Sequence, residues 1–206
     1  MQSNTFLQEH QIIEDSFMLG VEVFNSGFRP TFIVGLWRGG STVGIYLQEC
    51  LQTLGIETNH IALRTAYAGR KAYEADQASP DVKIRVHGTQ YLIETLNHDD
   101  RLLIVDDVCG SGRNLDAVVD KLQTRLRRNC PNEIRTACLF HRPMQYPSPL
   151  PPDYVLKTVD SWLTLPYELK GLSAQDLKAH KPAFLALLKE YDLTLQKLQI
   201  RDQEWP

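Results

Sequence analysis

Long apolar runs are missing from this 206-residue chain, and no stretch approaches the roughly 20 apolar residues that span a bilayer. No membrane partner is therefore expected. The opening MQSNTFLQEHQIIEDSF has no basic segment followed by an apolar run, so it does not read as a secretory signal. Positive charge is not in excess: Lys+Arg is 22, Asp+Glu is 25 and the formal net charge is -3. A nucleic-acid partner is not expected on that balance. Cysteine is sparse, limited to Cys50, Cys109, Cys130 and Cys138, with no C-x-x-C pair and no zinc-site spacing. A reduced, cytoplasmic protein follows as the expectation. Internal repeats, low-complexity tracts, the P-loop G-K-[ST] and the dinucleotide fingerprint G-x-G-x-x-G are all absent. What is present is ordinary: 43% hydrophobic and 23% charged residues, enough to build the core of one domain with an appended hood.

Residues 8–24 place Ile12, Ile13, Phe17, Val21 and Phe24 at helical spacing, and Gly27 and Pro30 end that helix. TFIVGL reads as a buried strand, WRGGS as a tight loop, residues 41–55 as a helix closed by Gly55, and IETNHIAL as a second strand. That order is the unit from which parallel sheets are built. Residues 64–87 are rich in Ala, Gly, Lys, Asp and Pro, without a sustained apolar period. A loop of that length inside a compact domain reads as an active-site lid or a disordered segment. YLIETLNHDD reads as a short helix, and LLIVDDV as a strand whose continuous apolar run suits a centre buried on both faces. CGSGRN is a glycine-containing turn, LDAVVDKLQTRLRRN a helix with basic residues near its C-terminal end, and TACLFHRP the next strand. PMQYPSPLPP, with five of the 11 prolines, is a stiff connector. Residues 154–169 return to extended structure. Residues 173–199 read as a packing helix, with Leu185, Leu188, Leu195 and Leu198 among its apolar positions.

The segment that carries chemistry is LLIVDDVCGSGRNLDAVV. A buried strand ends in Asp106 and Asp107, a turn of small residues follows at Gly110, Ser111 and Gly112, and a helix begins. Backbone N–H groups of such a turn converge on an anion, and the helix N-terminus adds its positive end. Ser111 and Asn114 can add side-chain donors to a phosphate. The two acids cannot bind that phosphate, but they can accept hydrogen bonds from sugar hydroxyls or hold a hydrated magnesium ion. A phosphate nest directly after a diol-binding acid pair describes a ribose-5-phosphate site at the carboxyl ends of the strands.

VDDVCGSGRN resembles the hallmark of the type I phosphoribosyltransferases: two acids on a strand end, a short variable stretch, then Thr-Gly-x-Thr. Ser111 and Asn114 stand where the family usually has threonines. FIVGLWRGGSTVGIYLQECLQTLGI is similar to the family's pyrophosphate loop, with Arg38, Gly39 and Gly40 at its centre, and family members often carry a cis peptide beside that arginine. Residues 64–87 match the family's lid, with Ala66-Tyr67 where purine members often have Ser-Tyr. LFHRP followed by WLTLPYE is similar to the base-binding end of the xanthine-guanine and hypoxanthine-guanine enzymes.

The resemblance implies an α/β fold with a central parallel sheet flanked by helices and a small C-terminal hood. It sets a phosphoribosyltransferase domain over 1–172 and a helical extension over 173–206. It also implies magnesium-dependent transfer of a phosphoribosyl group from 5-phosphoribosyl diphosphate to a purine, with dimers or tetramers as the expected assembly. The catalytic residues implied are Asp106, Asp107 and Arg38. Gly39, Gly40, Tyr67, Gly110, Ser111, Gly112, Arg113, Asn114, Arg142, Trp162, Leu163 and Glu168 are implied to bind substrate, and Asp106, Asp107 and Glu168 to hold metal. Two departures stand out. Gly110 occupies a position that is normally aspartate in 6-oxopurine enzymes, so it cannot take a proton from the base. Arg142 replaces a lysine. Both leave open a transferase for another nucleobase, or a regulatory protein that binds the diphosphate with little catalysis.

Overall fold

The structure, a computed structural model, describes residues 4–65, 84–143 and 151–193. In chain order its elements are β1 (Asn4–Phe6), α1 (Glu9–Asn25), β2 (Phe32–Trp37), α2 (Gly39–Thr53), β3 (Asn59–Thr65), β4 (Val86–His87), α3 (Gln90–Thr95), β5 (Arg101–Cys109), α4 (Arg113–Leu126), β6 (Glu133–His141), β7 (Tyr154–Thr158), β8 (Trp162–Thr164), α5 (Ala174–His180) and α6 (Pro182–Glu190). They form two compact units, divided at Gln8/Glu9 and again at Ser161/Trp162. The second unit joins material from both ends of the chain, so its limit falls before the 172/173 boundary read from the sequence.

The first unit holds a six-stranded sheet in the order β4-β3-β2-β5-β6-β7. Every neighbouring pair is parallel except β3 with β4. β5 is interior, and Leu102, Leu103, Ile104 and Val105 are all fully buried. That is why its apolar run is continuous rather than alternating. On one face Phe32, Val34, Leu36, Leu102 and Ile104 pack with Leu92 of α3 and Leu115, Val118 and Leu122 of α4. The other face is covered by α1 and α2, which lie against each other and against β2, β5, β6 and β7. An ion pair fastens α1 to β7: Lys157 Nζ, itself exposed, donates to both carboxylate oxygens of the buried Asp15 at 2.6 Å.

The 64–87 lid of the sequence reading lies mostly outside the described residues, as does much of the proline-rich connector. The ends of the lid segment are described. They form an antiparallel pair in which Arg64 faces His87 and Thr65 faces Val86.

In the second unit β1 pairs in parallel with β8, Asn4 opposite Trp162 and Phe6 opposite Thr164. The extended stretch expected over 154–169 is thus two short strands in two different sheets. Phe6 also stacks on His180 of α5, with ring centroids 3.7 Å apart and planes within 6°. Ser173 and Asp176 form a capping box that starts α5. The single helix expected over 173–199 is broken in its described part. Pro182 cannot continue α5, because it has no N–H to donate, and instead opens α6 at its first position. No helix among the described residues is long and apolar enough to cross a membrane.

Candidate active site

The winding of the first unit reverses between β2 and β5: β3 and β4 extend the sheet on one side, β6 and β7 on the other. Ligands of open parallel sheets bind at such a point, beyond the carboxyl ends of the strands. The loops that leave β2 and β5 there are the Arg-Gly-Gly and Gly-Ser-Gly segments. They are brought together at close quarters. A methyl group on Gly40 would lie 2.3 Å from the carbonyl oxygen of Val105 and 2.9 Å from the Cα of Asp106. Only a residue without a side chain permits that approach. Gly35 does the same one turn away, where an added Cβ would lie 2.7 Å from the Cα of Ser41. The Trp37–Arg38 peptide is cis. Trp37 and Arg38 are exposed, while Gly39 and Gly40 are buried at the start of α2.

Across this contact, Asp106 is 9% exposed and Asp107 is half-buried. The Asp107 N–H donates to Asp106 Oδ1 at 3.0 Å, and the Val108 N–H donates to Asp107 Oδ1 at 2.8 Å. Burial first, and then the charge of Asp107, push the Asp106 carboxyl well above the usual carboxylate range. Two carboxyls held this way favour a partner that offsets charge, either a cation or hydroxyl donors.

Gly110 and Ser111 are buried, and Gly112 takes the left-handed φ of 78° that lets the chain turn into α4. The Arg113 N–H donates to Ser111 Oγ at 3.4 Å, and the Asp116 N–H to the Gly112 carbonyl at 3.1 Å. Asn114 Oδ1 is buried without a hydrogen-bond partner. A buried polar atom left unpaired costs about 1–3 kcal/mol, and this oxygen accepts, so only a hydrogen-bond donor satisfies it. The Arg142 N–H donates to the Cys109 carbonyl at 2.8 Å, which ties that residue's backbone to the end of β5. Cys109 and Cys138 are both buried, and the hydrogen bond between their thiols, followed by burial, pushes the Cys138 thiol up from its ordinary value.

The first unit thus gathers Arg38, Gly39, Gly40, Asp106, Asp107, Gly110, Ser111, Gly112, Arg113, Asn114 and Arg142 on its strand ends. Tyr67 lies outside the described residues. Trp162, Leu163 and Glu168 belong to the second unit. There Trp162 is half-buried and Leu163 is 7% exposed. Glu168 closes a turn: its N–H donates to the Leu165 carbonyl at 3.0 Å, and its Oε2 accepts from the Leu165 N–H at 3.4 Å.

Among the described residues no group of three or more His, Cys, Asp or Glu side chains is gathered for a metal. The adjacent Asp106 and Asp107 still fit magnesium. That ion commonly takes one or two protein carboxylates and fills its other positions with water and substrate oxygens.

One residue escaped the motif reading. His60 of β3 sits in a slot between two glycines: a Cβ at Gly44 would lie 2.7 Å from its ring, and one at Gly35 would lie 3.0 Å from it. His60 Nε2 is buried without a partner, and burial lowers its pKa below 6.5. The ring supports the first turns of α2, where Gly39 and Gly40 lie. The sequence signal was a histidine on a strand facing glycines at positions 35 and 44, which is visible only once the register is known.

Comparison with known proteins agrees with this geometry. The phosphoribosyl transferase domain family matches residues 3–171. Among curated proteins, none matches the sequence. Several solved structures are similar in fold. A purine phosphoribosyltransferase from Pyrococcus horikoshii Ot3 is 22% identical with a TM-score of 0.57, over 82% of this chain and 97% of that one. The xanthine-guanine-hypoxanthine phosphoribosyltransferase of Helicobacter pylori is 20% identical with a TM-score of 0.60, over 86% and 100%. A hypothetical protein from Neisseria gonorrhoeae with bound ppGpp is 18% identical with a TM-score of 0.63, over 89% and 98%. At these identities the likeness is one of fold. A family match across most of the chain, joined to a parallel sheet that ends in an acid pair and a glycine turn, leads to one assignment: this chain belongs to the type I phosphoribosyltransferase family.

Proposed function

We propose that this chain is a magnesium-dependent purine phosphoribosyltransferase of purine salvage, acting in the cytoplasm as a dimer or tetramer. The observation that carries the reading is the contact of Gly40 with the backbone at Val105 and Asp106. It brings the Arg-Gly-Gly loop beside the acid pair that precedes the Gly-Ser-Gly turn, which supports reading the two loops as the diphosphate and phosphate sites. In this reading Gly110, Ser111, Gly112, Arg113 and Asn114 hold the 5-phosphate. Asp106 and Asp107 accept hydrogen bonds from the ribose hydroxyls and hold the metal. Arg38, Gly39 and Gly40 take the diphosphate, where an arginine and bare backbone N–H groups suit an anion.

Arg142, Trp162 and Leu163 read the base. An aromatic face contributes about 1–3 kcal/mol per stacked base. Tyr67 belongs to a lid that excludes water, and Glu168 contacts the purine or a second metal ion.

A purine ring nitrogen forms a bond to the anomeric carbon as the bond from that carbon to the diphosphate oxygen breaks, and the electron pair leaves with pyrophosphate. Asp106 and Asp107 would hold magnesium, which would offset the negative charge that the diphosphate carries as it leaves. The transition state is oxocarbenium-like, so positioning and preset charge do most of the work. The ring proton cannot pass to residue 110, because glycine offers no acceptor there. It passes to water or to another group.

The test is a panel of nucleobases with 5-phosphoribosyl diphosphate and magnesium, scored as nucleotide formed. Turnover of hypoxanthine, guanine or xanthine is the expected result, and turnover only of a pyrimidine would replace purine with another nucleobase. A second reading, a regulatory protein that binds the diphosphate or a related nucleotide without efficient catalysis, is favoured by Gly110. The Neisseria gonorrhoeae structure adds to it, since that protein was solved with bound ppGpp. Binding without turnover of any base would select this second reading.

A further inference from the structure

The turn that follows β8 has two carbonyls, of Leu165 and Pro166, that lie beyond the strand's ladder. β8 ends at Thr164, and Pro166 has no N–H with which to extend a ladder. Their partner comes from the C-terminal helices. Lys181 lies between α5 and α6, and its own N–H closes α5 on the Leu177 carbonyl at 2.9 Å. Its ammonium reaches back and donates to the Pro166 carbonyl at 2.6 Å and to the Leu165 carbonyl at 3.3 Å. Leu165 is 5% exposed, and its carbonyl also accepts the Glu168 N–H. Burial lowers the Lys181 pKa, and the charge of Glu168 opposes that shift.

The segment from Trp162 to Glu168 is therefore held at two places. β1 pairs with its start, and Lys181 grips its turn. Lys181 lies beyond residue 171, where the family match ends.

We propose that Lys181 is a positioning residue for nucleobase binding, its ammonium on the Leu165 and Pro166 carbonyls fixing the turn that follows Trp162 and Leu163. This rests on the reading of Trp162 as the residue that stacks on the base. The C-terminal helices then have a role in base affinity, exerted through one charged hydrogen-bonding group. A lysine suits that role because it offers three donors and no acceptor, so it can serve two carbonyls at once. Charge-assisted bonds of this kind are roughly twice as strong as neutral ones.

The experiment is steady-state kinetics on the full chain, with the base accepted in the panel above and 5-phosphoribosyl diphosphate varied in turn. The variants are Lys181→Met, Lys181→Arg and Trp162→Ala, with Lys189→Met as a charge-loss control. Lys181→Met is expected to raise the base KM about tenfold while the diphosphate KM stays within about twofold. Lys181→Arg, which keeps charge and donors, is expected to recover the base KM to within about threefold of wild type. Trp162→Ala raises the base KM as well, and Lys189→Met changes neither constant.

If Trp162→Ala raises the base KM and Lys181→Met does not, the role of Lys181 is overturned and the reading of Trp162 stands. Equal rises in both KM values, or an arginine no better than methionine, also overturn it. If Trp162→Ala leaves the base KM unchanged, the stacking reading falls and the role of Lys181 falls with it. Should circular dichroism show Lys181→Met unfolded, Lys181→Leu, which likewise removes charge and donors, is judged by the same criteria.

Discussion

A methyl group at position 40 has nowhere to go. The Val105 carbonyl and the Asp106 Cα are backbone, so they cannot swing aside as a flexible side chain would. Gly40→Ala must move the first turn of α2 away from the end of β5. Overpacking of this kind costs about 1–3 kcal/mol of stability, and a misplacement near 1 Å in a reacting site costs about 100-fold in rate. The expected outcome is a folded protein with a lower melting temperature and kcat/KM for the diphosphate down by about 10- to 100-fold. Kinetics and a thermal melt on the same preparation check it. His60 behaves differently because its ring is in place but resists charge. Its pKa is lowered in the folded state, so the unfolded chain takes up a proton first as pH falls below 6.5. Stability from the neutral ring is complete above that pH and declines as pH drops toward the depressed value. In melts from pH 8 to pH 5, His60→Gln is expected to lose less stability over the acid half of the range than wild type. Parallel curves would show that the slot between Gly35 and Gly44 tolerates an imidazolium.

At the scale of elements, the turn from β5 into α4 depends on one backbone angle. Gly112 at φ 78° starts the helix, and a side chain in that region costs about 1–2 kcal/mol. Gly112→Ala is expected to lower stability by that amount and to weaken phosphate binding, read as a higher KM for 5-phosphoribosyl diphosphate with the base KM little changed. How readable the elements were follows from where their order comes from. β5 was legible because four consecutive apolar residues are all buried, and α4 because Leu115, Val118 and Leu122 repeat at helical spacing toward the sheet. β1 was not legible. Asn4, Thr5 and Phe6 have no pattern of their own and gain strand geometry only from Trp162, Leu163 and Thr164, far along the chain. The break between α5 and α6 was written in Pro182, but the leucine spacing that follows it, from Leu185 on, masked it. The acid pair and the glycine turns could be read as a site from residue type. The depth of Asp106 and the slot around His60 could not, because both are properties of packing rather than of local sequence.

For the molecule as a whole, the strand-end residues belong to the first unit, and Trp162, Leu163 and Glu168 belong to the second. The order of the sheet explains why the first set lies together. β2 and β5 are neighbours, the chain leaves them in opposite directions, and their following loops meet at Gly40 and Asp106. The central claim is that the turn after β5 receives the phosphate of a pentose whose hydroxyls meet Asp106 and Asp107. A crystal structure of the protein with guanosine monophosphate and magnesium measures this directly. The account predicts the phosphate within hydrogen-bond distance of the backbone N–H groups of residues 110–114, and the ribose hydroxyls on the two carboxylates. Nucleotide bound at another place, with that turn empty, would contradict it.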